Sequence, residues 1–138
     1  MMYALISSCL IGLNTKYNGT NNLREEVVER LKNEYILIPI CPEQLGGLPT
    51  PRNPCEIKDG RVIDTTGRDF TDNFYKGAIE ALKLAKFFGA QIAFLKSKSP
   101  SCGCGKIYDG SFSGKLVEGS GITAAIFMQN GIKVVCID

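Results

Sequence analysis

The chain has 138 residues, of which 44% are hydrophobic and 22% charged, with a formal net charge of +2. This describes one folded domain able to bury a real core, and the near-neutral balance gives no electrostatic footprint for nucleic acid or a membrane surface. There is no histidine, so imidazole acid–base chemistry is excluded.

No apolar run approaches the length of a bilayer span. The N-terminus lacks the basic segment, apolar stretch and cleavage site of a signal peptide, so the expected address is the cytoplasm. In chain order, residues 3–7 form the first β-rich run. A helix follows, with Leu23, Val27 and Leu31 on one face and Val28 beside it; Asn22 is the expected N-cap, and Glu25 completes a capping box. The second strand covers 35–40, and a loop rich in Gly, Pro and Ser runs from Cys41 to Asp69. Residues 70–88 place Phe70, Phe74, Ala78, Ala81, Leu82, Ala85 and Phe88 on one helical stripe, with Gly89 as its C-terminal cap. A third strand at 91–95 leads into a second long loop, from Leu95 to Gly121. A helix carrying Ile122, Ala125 and Ile126 then ends at Asn130-Gly131, before a last strand at 133–137. Short β segments at 61–63 and 106–108 suggest a small hairpin or ribbon.

The strands read as continuous apolar runs, as in a parallel sheet covered on both faces. Their alternation with helices predicts a single-domain, three-layer α/β fold over residues 1–138, Rossmann-like, with a mainly parallel sheet. Ligands of such sheets bind beyond the carboxyl ends of the strands, and long loops inside a small domain are usually functional.

Six cysteines allow three disulfides, but a chain without secretion signals that can build its own core does not need them. Taken singly, each cysteine also fits a small buried hydrophobe, and Cys136, inside Val134-Val135-Cys136-Ile137, fits it best. Three others share a setting: Cys9, Cys41 and Cys102 each follow an apolar strand and open a turn of small residues or prolines. Three thiolates converging there would make a metal or iron–sulfur site with one ligand position open, whereas structural zinc is more often closed by four ligands.

The flanks add chemistry. Ser7-Ser8-Cys9-Leu10-Ile11-Gly12 lets backbone amides approach an anion or a cluster sulfur. In the stretch from Cys41 to Arg52, Pro42, Pro49 and Pro51 stiffen a loop that Gly46-Gly47 allows to turn. Glu43 is placed to act as general acid or base if burial raises its pKa, and Arg52 to hold a carbonyl or an anion. Around Cys102, Lys96 and Lys98 are expected to lower the thiol pKa. The Cys102-x-Cys104 spacing is too short for a zinc knuckle. Gly110 to Leu116 lacks the spacing and the Ser or Thr of a phosphate loop.

The motifs S-S-C-L-I-G with K-Y-N-G, C-P-E-Q-L-G-G-L-P-T-P-R, G-R-D-F-T, L-K-S-K-S-P-S-C-G, Y-D-G-S-F-S-G and G-I-T-A-A with N-G-I-K-V-V resemble the family that includes bacterial 2-thiouracil desulfidase, over essentially the whole chain. The resemblance implies a 4Fe–4S cluster held by Cys9, Cys41 and Cys102, whose open iron takes the sulfur of a thiocarbonyl substrate. The carbon then receives oxygen from water, sulfur leaves as hydrosulfide, and no net redox change occurs. It further implies Glu43 as the proton-transfer residue, Ser101 as a donor near the reacting carbon, and Arg52 and Ser8 as substrate contacts. The partner is a small thiolated base. Cys55, Cys104 and Cys136 fall outside the implied ligand set, and Asn18 stands where many relatives carry Asp. Two other functions remain open on the residues: a non-catalytic module binding a small ligand, metal or sulfur, and a persulfide sulfurtransferase using Cys102 or Cys104 as nucleophile.

Overall fold

In a computed structural model describing residues 1–138, the chain runs β1 (Met2–Ser7), a 3-10 turn (Ser8–Ile11), α1 (Glu25–Lys32), β2 (Tyr35–Ile40), α2 (Pro42–Leu45), β3 (Cys55–Lys58), β4 (Arg61–Asp64), α3 (Thr71–Phe88), β5 (Ile92–Lys96), β6 (Lys106–Tyr108), β7 (Leu116–Glu118), α4 (Ile122–Gln129) and β8 (Lys133–Ile137). The four apolar runs pair into one sheet in the order β2-β1-β5-β8. Every neighbouring pair in it is parallel, as continuous apolar strands demand.

Side-chain alternation along β1 assigns the two faces. Leu5 joins Ala81, Ala85, Ala124 and Phe127, so α3 and α4 cover one face. Ala4 and Ile6 join Val28, Leu31 and Phe94, so α1 covers the other. The alanines of α3 are fully buried, and their small size lets that helix sit close to the sheet. The expected three-layer α/β architecture is therefore present.

Local chemistry ends the elements largely as expected. Gly89 caps α3 in the left-handed region at φ 67°, where a Cβ is costly. The capping box of α1 does not form: Arg24 occupies the cap position with no side-chain cap bond, and Asn22 points elsewhere. Leu23 is largely exposed, so Val28 and Leu31 carry the buried face of α1. The two short β segments form two separate antiparallel hairpins, β3–β4 and β6–β7, in place of one ribbon. The β3–β4 hairpin packs Cys55 and Val62 against Phe74, Ala78 and Leu48.

One close approach positions the site. The four-residue α2 lies directly on α3 through facing glycines. A Cβ on Gly77 would stand 1.8 Å from the Pro42 carbonyl oxygen, and one on Gly46 would stand 2.0 Å from that of Asn73. Only glycine permits backbone contact this tight, and it fixes α2, which carries Glu43, at the carboxyl end of β2.

Candidate metal centre and active site

Cys9 lies in the 3-10 turn after β1, Cys41 directly after β2, and Cys102 in the loop after β5. β1, β2 and β5 are adjacent in the sheet, so their carboxyl ends open onto one crevice, at the point where the strand order reverses. All three cysteines line a single cavity of about 700 Å³ there, and all three are free thiols.

The Cys102 loop is built from serine hydroxyls and a helix end. Ser99 Oγ accepts the backbone N–H groups of Ser101 and Cys102 at 3.1 and 3.0 Å. The Ser101 carbonyl accepts the N–H groups of Thr123 and Ala124, and the Pro100 carbonyl accepts that of Ile122. The orphan donors that open α4 are thereby satisfied. A Cβ on Gly121 would come within 2.5 Å of the Ser101 carbonyl carbon, so the loop and the helix are moulded together.

Glu43 meets this loop. Ser101 Oγ donates to Glu43 Oε2 at 2.9 Å, and the Ser99 and Ser101 hydroxyls lie 2.9 Å apart. Since the carboxylate only accepts, the chain of donation runs Ser99, Ser101, Glu43. On its other oxygen Glu43 accepts Arg52 Nε at 3.0 Å, in a pair whose side chains are 14% and 8% exposed respectively. Arg52 also donates to the carbonyls of Pro49 and Thr15 and to Thr50 Oγ1. Four of its five N–H donors are thus engaged within the site walls.

Thr15 joins the site without having been expected there. Its hydroxyl lies 2.6 Å from Ser8 Oγ, and its carbonyl accepts from Arg52 and faces Cys41 Sγ at 3.9 Å. Asn22, expected to cap α1, instead donates its Nδ2 N–H to Cys9 Sγ at 3.4 Å. Neither contact has a signal in composition or spacing. Ser8 lines the cavity as expected. Asn18 does not, and its Oδ1 instead accepts from the Thr20 N–H and hydroxyl in a local turn.

Burial decides the state of the thiols. It pushes Cys102 up to about 12, against hydrogen bonds from Ser7 and Ser101 that pull it down. Burial also raises Cys41, opposed by the Gln44 backbone amide. The expected lowering of the Cys102 pKa by Lys96 and Lys98 is overturned: desolvation of the enclosed thiol dominates, and neither lysine is among the groups that act on it. Lys96 is itself pulled down by burial, while the charge of Cys9 opposes that shift.

The remaining cysteines separate. Cys104 and Cys136 are joined in a disulfide, with 6.0 Å between their Cα atoms, so Cys136 is not the free buried thiol that its apolar strand suggests. Cys55 is free and lines the same cavity. Burial, then the charges of Glu43 and Asp64, pushes it up to about 12, which keeps it a neutral thiol.

The donor set discriminates among metals. No group of three or more Cys, Asp or Glu side chains comes close enough together to hold a single ion; tetrahedral zinc would draw its sulfurs to about 3.8 Å from one another. Three free thiols at neighbouring strand ends around one roomy cavity fit a larger polynuclear group that keeps one site for an outside ligand. Lys16, Lys96, Lys98 and Arg52 line the cavity, and their charge complements an anionic thiolate-bound group.

A family described as 2-thiouracil desulfurase matches residues 4–138. A Bacillus subtilis (strain 168) protein, described as uncharacterized protein YbbK, is 41% identical over 141 residues, covering 95% of this chain and 93% of its own length. A solved structure described as 4Fe-4S-dependent thiouracil desulfidase TudS superposes with a TM-score of 0.93 at 38% identity, covering 99% of this chain and 91% of that one.

Proposed function

The chain belongs to the 2-thiouracil desulfurase family, and we propose that it is a 4Fe–4S-dependent desulfidase that exchanges the thiocarbonyl sulfur of a small thiolated nucleobase for oxygen. Thiocarbonyl and water give carbonyl and hydrogen sulfide, so the atoms balance and no electron is gained or lost. The observation that carries the reading is the meeting of Cys9, Cys41 and Cys102 in one cavity with a hydroxyl–carboxylate pair, Ser101 and Glu43, on its wall.

Cys9, Cys41 and Cys102 would hold the cluster. When bound, the cluster supplies a Lewis-acidic iron at the position the three cysteines leave open, where the substrate sulfur is polarised. Glu43 Oε2 takes a proton from the attacking water, and Ser101 Oγ, 2.9 Å away, orients that water and passes a proton on to the departing sulfur. Arg52 fixes the carboxylate through Nε and offers its one remaining N–H to the substrate. Ser8, set by its contact with Thr15, faces the substrate from the β1 side.

The partner is a small thiolated base. No helix is long and apolar enough to cross a membrane. An oxygen-sensitive cluster suits a reducing compartment, and we place the activity in the cytoplasm.

A persulfide mechanism finds less support. Cys102 is buried with its thiol pushed up to about 12, and Cys104 is disulfide-bonded, so neither meets the need of a nucleophile for accessible thiolate. Anaerobic reconstitution, followed by iron, sulfide and hydrosulfide-release assays with 2-thiouracil, tests the proposal. A protein that binds no cluster sinks it. So does a Cys41→Ser variant with full desulfidation, and a loaded protein that releases no hydrosulfide from any thiolated base is a binding module.

A further inference from the structure

The geometry points to Asn22 as a positioning residue for the cluster, one that fixes the Cys9 sulfur and draws electron density from it through an N–H···S hydrogen bond. The inference rests on the cluster site proposed above.

The contact is held from two sides. Asn22 Nδ2 stands 3.4 Å from Cys9 Sγ, and the backbone N–H of Asn22 donates to the carbonyl of Cys9 itself at 2.9 Å. Residue 22 is therefore bolted to the 3-10 turn by its main chain, and the Cys9 sulfur is the partner its side-chain amide takes. A thiolate only accepts, so the amide must turn its nitrogen, not its oxygen, to Cys9. The placement has a local cost: α1 begins without any side-chain cap, although Asn22 is the kind of residue that would supply one.

The three sulfurs are not equivalent. Cys102 has the Ser7 and Ser101 hydroxyls, and Cys41 has the backbone amides of Gln44 and Glu43. Only Cys9 has a side-chain N–H donor. Hydrogen bonds to cluster sulfurs stabilise the more electron-rich state and raise the reduction potential. In a reaction without electron transfer the same withdrawal serves a different end, leaving the open iron a stronger acceptor for the substrate sulfur. Outer-shell partners of this kind also secure the ligand itself.

The test uses the full-length protein, reconstituted anaerobically as wild type, Asn22→Asp and Asn22→Leu. Asp keeps the shape but replaces a donor with a negative acceptor. Leu keeps the approximate size and removes the donor without adding charge. Both retain the backbone bond to Cys9, and the melting temperature of the cluster-free protein reports whether each folds. The readouts are the midpoint potential, followed by electron paramagnetic resonance during a redox titration, and the rate at which a chelator strips iron. We expect both variants to fall below wild type in midpoint, Asp furthest, with iron loss faster by about 10- to 100-fold. Loaded variants with wild-type potential and iron retention overturn the inference and leave the cluster site standing. A wild-type protein that binds no cluster overturns the site, and this inference with it.

Discussion

Glu43 and Ser101 lie 58 positions apart in the sequence, yet the serine hydroxyl donates to Glu43 Oε2 at 2.9 Å. Each is fixed from behind: Glu43 by Arg52 Nε and by the glycine contact of α2 with α3, Ser101 by Ser99 and the N-terminus of α4. A hydrogen bond held on both sides is pre-organised for proton transfer, because no side chain has to be ordered as the reaction proceeds.

Removing the acid–base group should slow turnover without emptying the site. Glu43→Gln is expected to lower kcat by about 10²- to 10⁴-fold, and Ser101→Ala on the order of 10²-fold. Hydrosulfide release at saturating 2-thiouracil, measured with iron content on the same samples, checks both. Loss of iron in parallel with activity would assign the residues to cluster binding instead.

Arg52 is expected to matter more to stability than its place in a loop suggests. Arg52→Met leaves Glu43 largely buried without its partner, and breaking a buried pair from one side costs about 3–5 kcal/mol. The urea midpoint should fall with an unchanged slope. Arg52→Lys keeps the charge but loses the planar fork that spans Glu43, Thr50 and the Pro49 and Thr15 carbonyls, so it should recover only part of the loss.

Gly77→Ala tests the seating of α2. The added Cβ would stand 1.8 Å from the Pro42 carbonyl oxygen, which only a backbone shift can relieve. A loss of about 1–3 kcal/mol is expected, with reduced turnover because Glu43 moves with α2. Thermal melting and the hydrosulfide assay read the two effects separately, and unchanged activity would show that Glu43 tolerates displacement.

Cluster loading should improve as pH rises. Cys41 and Cys102 are raised by burial, the latter to about 12, so near neutrality both are thiols and each must shed a proton to bind iron. Iron retained against a chelator should increase with pH across the neutral and mildly alkaline range. A flat profile would mean that proton release does not limit loading.

Acid stability should depend on Asp69. A hydrogen bond from Arg61, then bonds from the side chain and backbone of Thr71, hold its carboxyl well below the usual carboxylate range. A depressed folded pKa adds stability above the unfolded value of about 3.9, and that stability is lost as pH falls toward the folded value. Asp69→Asn should flatten the acid limb of melting temperature against pH. An unaltered limb would place acid sensitivity elsewhere.

The four strands, the Ala-rich stripe of α3 and its Gly89 cap were legible because each depends on neighbours in sequence. So was the shared sheet edge of Cys9, Cys41 and Cys102, since strand order implies it. What escaped depends on contacts between distant segments. α2 is one turn long, too short to show a period, and is held by packing on α3. Asn22 looked like a helix cap because capping and sulfur binding ask for the same side chain, and only the path of the backbone decides between them. The link from Cys104 to Cys136 needs the register of β8 beside β5. The charges of Lys96 and Lys98 were visible in the sequence, but the burial of Cys102 that dominates its pKa was not.

The loop bearing Cys102 takes its shape from α4, whose first amides close on Pro100 and Ser101. α4 follows that loop in the chain, far behind β1 and β2. During synthesis Cys9 and Cys41 leave the ribosome before α4 does, and the proposed third ligand has no fixed position until that helix has folded. Iron delivery to the proposed site therefore belongs after α4 has folded: the cell's assembly machinery would meet a shaped acceptor, and deleting α4 would leave all three cysteines in the chain while unseating Cys102.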